Sequence, residues 1–187
     1  TLLGALTPAG EVTPHGRELA QFGLSPRLGH LIVRGMEQGH LTEAALLAAL
    51  LSERDIFTGE MQRSSDIVLR LRQLHGNGNA RGAFARIKQV QELAQLFTRR
   101  ARSLRAPLPH QKPFSEKHAG WLLVQAFPYR IARARDPQGS RYLLSSGRGA
   151  TLRSGDDQQG CEWLVALILD GAGQEARIYL SAALNSQ

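Results

Sequence analysis

The sequence is short of several things, and each shortage excludes something. Its 187 residues include one cysteine, Cys161. A lone thiol forms no internal disulfide, which suits a reducing cytoplasm, where the chain is expected to reside. Only 3 of the 23 basic residues are lysines, Lys88, Lys112 and Lys117. No apolar run approaches the roughly 20 residues a membrane helix needs. Nor does a charged segment followed by an apolar one mark a signal peptide, so no membrane partner is expected. The chain opens at Thr1 in a segment that already reads as structured, and is taken as a piece of something longer.

Catalytic signatures are missing too. No G-x-x-x-x-G-K-[ST] is present, and the clusters "GNGN" and "GRGA" lack the lysine and hydroxyl that hold phosphates and Mg²⁺. There is no G-x-S-x-G elbow. His15, His30, His40, His75, His110 and His118 show no metal-ligand spacing with Cys161. Glu53, Arg54 and Asp55 in "LSERD" read as a helix end with local ion pairs, because adjacent helical residues do not face one another. The chain is therefore expected to hold no active site, cofactor or metal of its own.

What is abundant is positive charge. The formal net charge is +7 and the pI is near 10.5, a balance that favours a polyanionic partner. The arginine excess reads equally as selection for forked phosphate contacts or as the imprint of a GC-rich genome. The charge is uneven: residues 1–60 carry −3, residues 61–118 carry +9 and residues 119–187 carry +1. Within the last segment, 119–150 is +4 and 151–187 is −3. Hydrophobic residues make up 42%, enough for a real core.

The fold class expected is α+β. Residues 1–25 read as the end of a winged helix, with "PAGEVT" as a turn and short strand and "HGRELAQFG" as a helical turn closed by Gly23. Residues 26–105 read as a helical bundle. "RLGHLIVRGMEQG" is an amphipathic helix stopped by Gly39. Thr42 is placed as the cap of "EAALLAALLSERD", apolar nearly all round and so buried, and Ser65 as the cap of "DIVLRLRQLH", with Arg70 and Arg72 turned away from its apolar face. After a loop "HGNGNARG", a long helix carries Phe84, Ile87, Val90, Leu93, Leu96 and Phe97 as its stripe. Residues 106–118, rich in proline, are a linker or extended crossing segment. Residues 119–187 start with a short helix capped by Ser115. They continue as five strands, "RIARAR", "SRYLLSS", "GATL", "EWLVALILD" and "ARIYLSAAL", separated by glycine turns, which predicts a small OB-like β-barrel.

The stretch Pro128–Leu152 holds Arg130, Arg133, Arg135, Arg141 and Arg148 against one acid, Asp136. Strand alternation places Arg133 and Arg135 on one face with Tyr129 and Ile131, and Arg130 on the other. Tyr142 is placed to stack on a base. Arg148, between glycines, is placed to fork onto a phosphate. The alternative is a solvated barrel face. Trp121 and Trp163 fall in apolar runs and are read as core.

"LLGAL…GRELA.FGLSPRLGHLIVRG", "LLAALLSERD", "AFPYRIARAR" and "RYLLSSGRGATL…WLVALILD" together resemble the C-terminal half of HrpB-type bacterial DEAH-box ATP-dependent RNA helicases. The resemblance implies a winged-helix end, a ratchet-like bundle and an OB-like barrel. It also implies that the two RecA-like motor domains, with their ATP and Mg²⁺, belong to the parent protein and not to this chain. By the same resemblance the accessory domains pack on the motor and hold single-stranded RNA, with DNA as a second candidate. The expected grip is Arg130, Arg133, Arg135, Arg141, Tyr142 and Arg148, with Arg70 and Arg72 from the basic helices. The chain is expected to be a monomer. The competing reading is a docking module for protein surfaces, with incidental charge.

Overall fold

The computed structural model describes residues 2–76, 83–105, 107–170 and 175–184. The loop expected in "HGNGNARG" and the glycine turn at 171–173 lie largely or wholly outside the described residues. The chain divides into two compact units that do not follow sequence order: residues 1–56 with 81–115, and residues 57–80 with 116–187. Residues 57–80, which the sequence pattern places in the helical segment, group with the barrel.

The first unit is helical. Leu6 and Val12 form an isolated antiparallel bridge. Thr13, through its hydroxyl, then caps α1 (Pro14–Ala20) by accepting from Gly16 N. α2 (Pro26–Gln38) ends at Gly39, whose φ of 81° supplies the left-handed residue such a terminus favours. α3 (Leu41–Ser52) has His40, not Thr42, at its N-cap position. Leu41 and Ala44 through Leu50 are all buried, as an all-round apolar sequence requires. α2 and α3 approach closely because residue 35 is glycine: a Cβ there would meet Ala44 Cβ at 2.2 Å. α5 (Phe84–Leu104) packs on α3 through Val90, Ala94, Phe97 and Ala101. That stripe corrects the expected one, because Phe84 and Leu96 are exposed. The alanines let the helices draw together, so the larger apolar residues one step round fall outside the contact. Residues 107–115 then run without regular structure, with Lys112 N donating to Gly39 O at 2.9 Å.

Charge is tightly organised around α1 and α2. Arg105 bridges Glu18 and Glu37, at 2.6 and 2.9 Å. Beside it, Arg34 Nε donates to His30 Nε2 at 3.4 Å, which leaves His30 Nδ1 to donate to His15 Nε2 at 2.8 Å. His15 Nδ1 lies 3.8 Å from Glu18. The relay requires a neutral His30.

The second unit is a barrel with two helices against it. β1 (Ile131–Ala134), β2 (Arg141–Leu144), β3 (Gly149–Thr151), β4 (Trp163–Leu169) and β5 (Glu175–Ala183) close in the order β1-β2-β3-β5-β4. Every pair is antiparallel except β3–β5. This is the expected five-stranded OB-like barrel. Its interior is filled by Ala132, Tyr142, Leu144, Ala150, Leu152, Leu164, Ala166, Ala176 and Ile178. α6 (Glu116–Ala126) lies on β4 and β5, and only glycine fits at its residue 120, where a Cβ would stand 2.5 Å from Ala183 O.

α4 (Ile67–Leu74) packs on β5 and is capped by Asp66, not Ser65: Asp66 Oδ1 accepts from Val68 N at 2.9 Å. Ser65 is used differently. Its N–H and hydroxyl both donate to the buried Asp156, at 3.1 and 2.8 Å, and Gln158 N donates to the same carboxylate at 2.9 Å. Ser181 Oγ lies 2.9 Å from Ser65 Oγ, and Ser181 N donates to Ser65 O at 2.7 Å. Arg70 is not turned away to solvent. At 2% exposure it donates to Ser64 O and Asp66 O, both at 2.9 Å, and lies 4.7 Å from the centre of the Phe57 ring.

Replacing Asp156 by alanine strands several buried donors, so it should cost about 3 kcal/mol of stability in urea denaturation. A loss under 1 kcal/mol would mean that water replaces the carboxylate. Arg70→Ala should likewise cost about 2–3 kcal/mol, whereas the exposed Arg135→Ala should stay within about 0.5 kcal/mol of the parent. Equal stability of the two variants would contradict the burial of Arg70.

Burial first, and then the neighbouring His15 and Arg34, push His30 down from 6.5 to about 4, against a smaller upward pull from Glu37. A histidine with a lowered folded pKa binds fewer protons folded than unfolded, so its contribution is full above its unfolded pKa and is lost as pH falls. Thermal melts should therefore show the Tm falling between pH 6.5 and 4, and falling less steeply in His30→Gln. Parallel profiles would assign the acid loss to other groups.

Candidate nucleic-acid interface

The arginine-rich stretch is built on two connections. In the first, Asp136 accepts from Ser140 Oγ at 2.7 Å and Ser140 N at 2.9 Å, closing the link from β1 to β2. The Ser140 hydroxyl holds its carboxyl below the usual aspartate range. The single acid of the stretch is thus engaged within its own turn. In the second, Gly147 N donates to Leu144 O at 2.8 Å and Leu144 N to Arg148 O at 2.9 Å, a tight turn from β2 to β3.

These turns sort the arginines into two groups. Arg130 and Arg148 stand together at one end of the barrel. Arg130 lies in a 3-10 turn, Pro128–Arg130, and not in the strand as expected; its Nη1 donates to Leu167 O at 2.9 Å. Arg148 Nη1 donates to Asp170 O at 3.4 Å. Burial, and then the charge of Arg148, lowers the pKa of Arg130. Both are half-buried and engage backbone carbonyls, which concentrates positive charge.

The second group lies on the outer face and at the far end. Arg133 points outward from β1 while Ala132 fills the barrel, as strand alternation requires. Tyr129 shares the 3-10 turn with Arg130 instead of this face. Arg135 follows the strand, exposed, and makes no ion pair among the described residues. Arg141 pairs with Glu175 at 2.6 Å, and Arg133 lies 3.7 Å from Glu162. Such exposed pairs are worth about 0–1 kcal/mol, so an anion such as phosphate could displace either glutamate.

Three expected site residues are placed elsewhere. Tyr142 is fully buried at 0% exposure, and its hydroxyl donates to Cys161 O at 2.9 Å, so it cannot stack on a base. Burial pushes its phenol well above the usual range. Alternation along β2 sends Arg141 and Leu143 out and Tyr142 and Leu144 in, and an alanine-lined barrel needs a large filler. Arg70, on α4, is buried against Phe57 and the carbonyls of Ser64 and Asp66. Arg72 is exposed but held by a forked pair with Glu116.

The sequence reading missed Trp163 and Leu143. Trp163 and Trp121, both read as core, are exposed. The register aligns Leu143, Arg133 and Trp163 across β2, β1 and β4 on the outer face. The Arg133 guanidinium carbon lies 5.3 Å from the centre of the Trp163 ring, within cation–π range. The signal was available: with Leu164 and Ala166 facing inward, alternation turns residue 163 outward. Among the described residues no cluster of His, Cys, Asp or Glu could hold a metal ion, and no helix is long and apolar enough to cross a membrane.

Comparison with known proteins agrees with this architecture. Residues 25–105 match the helicase associated domain (HA2), ratchet-like. The ATP-dependent RNA helicase HrpB of Escherichia coli is 32% identical over 96% of the chain, which spans 19% of that protein. Two crystal structures of E. coli HrpB, described as a DExH-box NTPase and as a DEAH/RHA helicase, superpose with TM-scores of 0.73. They are 28% and 25% identical over 98% and 97% of the chain. The chain covers about a fifth of each. A helicase-associated, ratchet-like segment and a closed five-stranded barrel, matched in sequence and in structure over nearly the whole length, make the chain similar to an accessory region of HrpB-type helicases.

Proposed function

We propose that this chain holds single-stranded RNA by its backbone for a motor on which it packs, and hydrolyses no nucleotide itself. ATP and Mg²⁺ would be bound by the RecA-like domains of the parent protein. The observation that supports this best is the arginine arrangement on the barrel. Arg133 and Arg135 are exposed, the one acid of their stretch is engaged in a turn, and Arg130 and Arg148 concentrate charge at the other end. Guanidiniums displayed this way fork onto phosphates without reading bases, which suits a strand that must slide. A second reading, docking of a protein surface, is favoured by Ile168 and Tyr179, exposed on the adjoining strands β4 and β5.

The test is fluorescence anisotropy of a labelled single-stranded RNA across a salt series, with the matching DNA beside it. Each phosphate neutralised contributes about 0.7 to the slope of log affinity against log salt. Arg133→Ala/Arg135→Ala should therefore flatten the slope by about 1.4, provided both arginines contact phosphate. Arg148→Ala should weaken binding in the same direction. An unchanged slope in all variants would move the grip to the basic helical segments. No binding at low salt would favour the docking reading.

A further inference from the structure

We infer that Trp163, steadied by Arg133 and extended by Leu143, is a stacking platform for a nucleobase. The inference rests on the single-strand reading above and adds a base contact to a grip so far described through phosphate alone.

The three residues sit in register on neighbouring strands: Leu143 opposite Arg133, and Arg133 opposite Trp163. Directly opposed residues on one face lie about 5 Å apart, so the row spans roughly 10 Å, about the length of a base with its sugar. Leu143 is 45% and Trp163 38% exposed, and the Arg133 side chain is 64% exposed. A tryptophan that keeps 38% of its surface in water forgoes part of what it would gain in a core. What it gains instead is a fixed orientation: the guanidinium 5.3 Å from the ring centre limits the indole to few rotamers. A preset aromatic face loses less entropy on binding than a mobile one.

The charge geometry suits the same ligand. Glu162 lies 3.7 Å from Arg133, and both side chains are exposed, so their mutual attraction is weak. A phosphate beside the stacked base would exchange for that carboxylate. One aromatic face offers no base-edge donors, so the contact would accept any base.

The experiment compares single-stranded RNA with an oligonucleotide of equal length and charge carrying abasic sites. Trp163→Ala should weaken RNA binding by about tenfold to a hundredfold, the range for a single base–aromatic stack, and leave the salt slope unchanged. Trp163→Phe, which keeps an aromatic face, should retain most of the affinity and guards against a folding artefact. Wild-type protein should bind the abasic strand no better than Trp163→Ala binds RNA. In a Trp121→Phe background, the fluorescence of Trp163 should be quenched by RNA but not by the abasic strand. Salt-sensitive RNA binding that is indifferent to Trp163→Ala and to abasic sites would overturn the platform and leave the phosphate grip intact. Loss of binding to the parent's motor domains in Trp163→Ala, with RNA binding unchanged, would reassign the row to a protein contact. Absence of RNA binding by the wild type would overturn both readings.

Discussion

The carboxylate of Asp156 is the point on which the second unit turns. It sits in the loop between β3 and β4, yet it receives both the amide and the hydroxyl of Ser65, 91 residues earlier. A buried carboxylate is tolerable only when its lone pairs are filled, and here backbone and side-chain donors fill them. Ser181 on β5 completes the junction. Three distant pieces of chain are thereby held at one place, and α4 lies against the barrel as a consequence. The segment matched by the ratchet-like family, residues 25–105, accordingly contributes to both compact units.

The barrel wall imposes a second constraint. Alanines at 132, 150, 166 and 176 leave room inside, and Tyr142 fills much of it. Alternation sends the residues between these inward positions outward. The arginines are therefore displayed by the same alternation that packs the core, and no separate device is needed to expose them. Register then decides their company, setting Arg133 between an aliphatic and an aromatic neighbour.

Much of this was legible in the sequence. Strand positions, the buried character of α3 and the stop at Gly39 follow from short-range rules, and the structure keeps them. The failures have one physical origin: the sequence shows spacing but not the neighbour. Arg70 lies off its helix's apolar stripe, but Phe57 and two carbonyls wait on that side. Phe84 and Leu96 keep helical spacing, but close packing through Ala94 and Ala101 rotates the contact away from them. Tyr142 and Trp163 exchanged roles because an aromatic residue's phase in a strand depends on which face the barrel closes around. The helicase likeness was visible in contiguous motifs, which need no neighbour to be recognised.

The interleaving of the two units has a consequence for synthesis. The polypeptide passes from the first unit to the second at residue 56, back at 80, and over again at 115. No single cut separates them. A ribosome delivers α4 long before β5 exists to receive it, so that helix must wait, half-formed or chaperoned, until the last strand emerges. Fragments ending near residue 105, where the long helix α5 and the family match both end, would carry α4 as an orphan with an apolar face and a buried arginine left open to water.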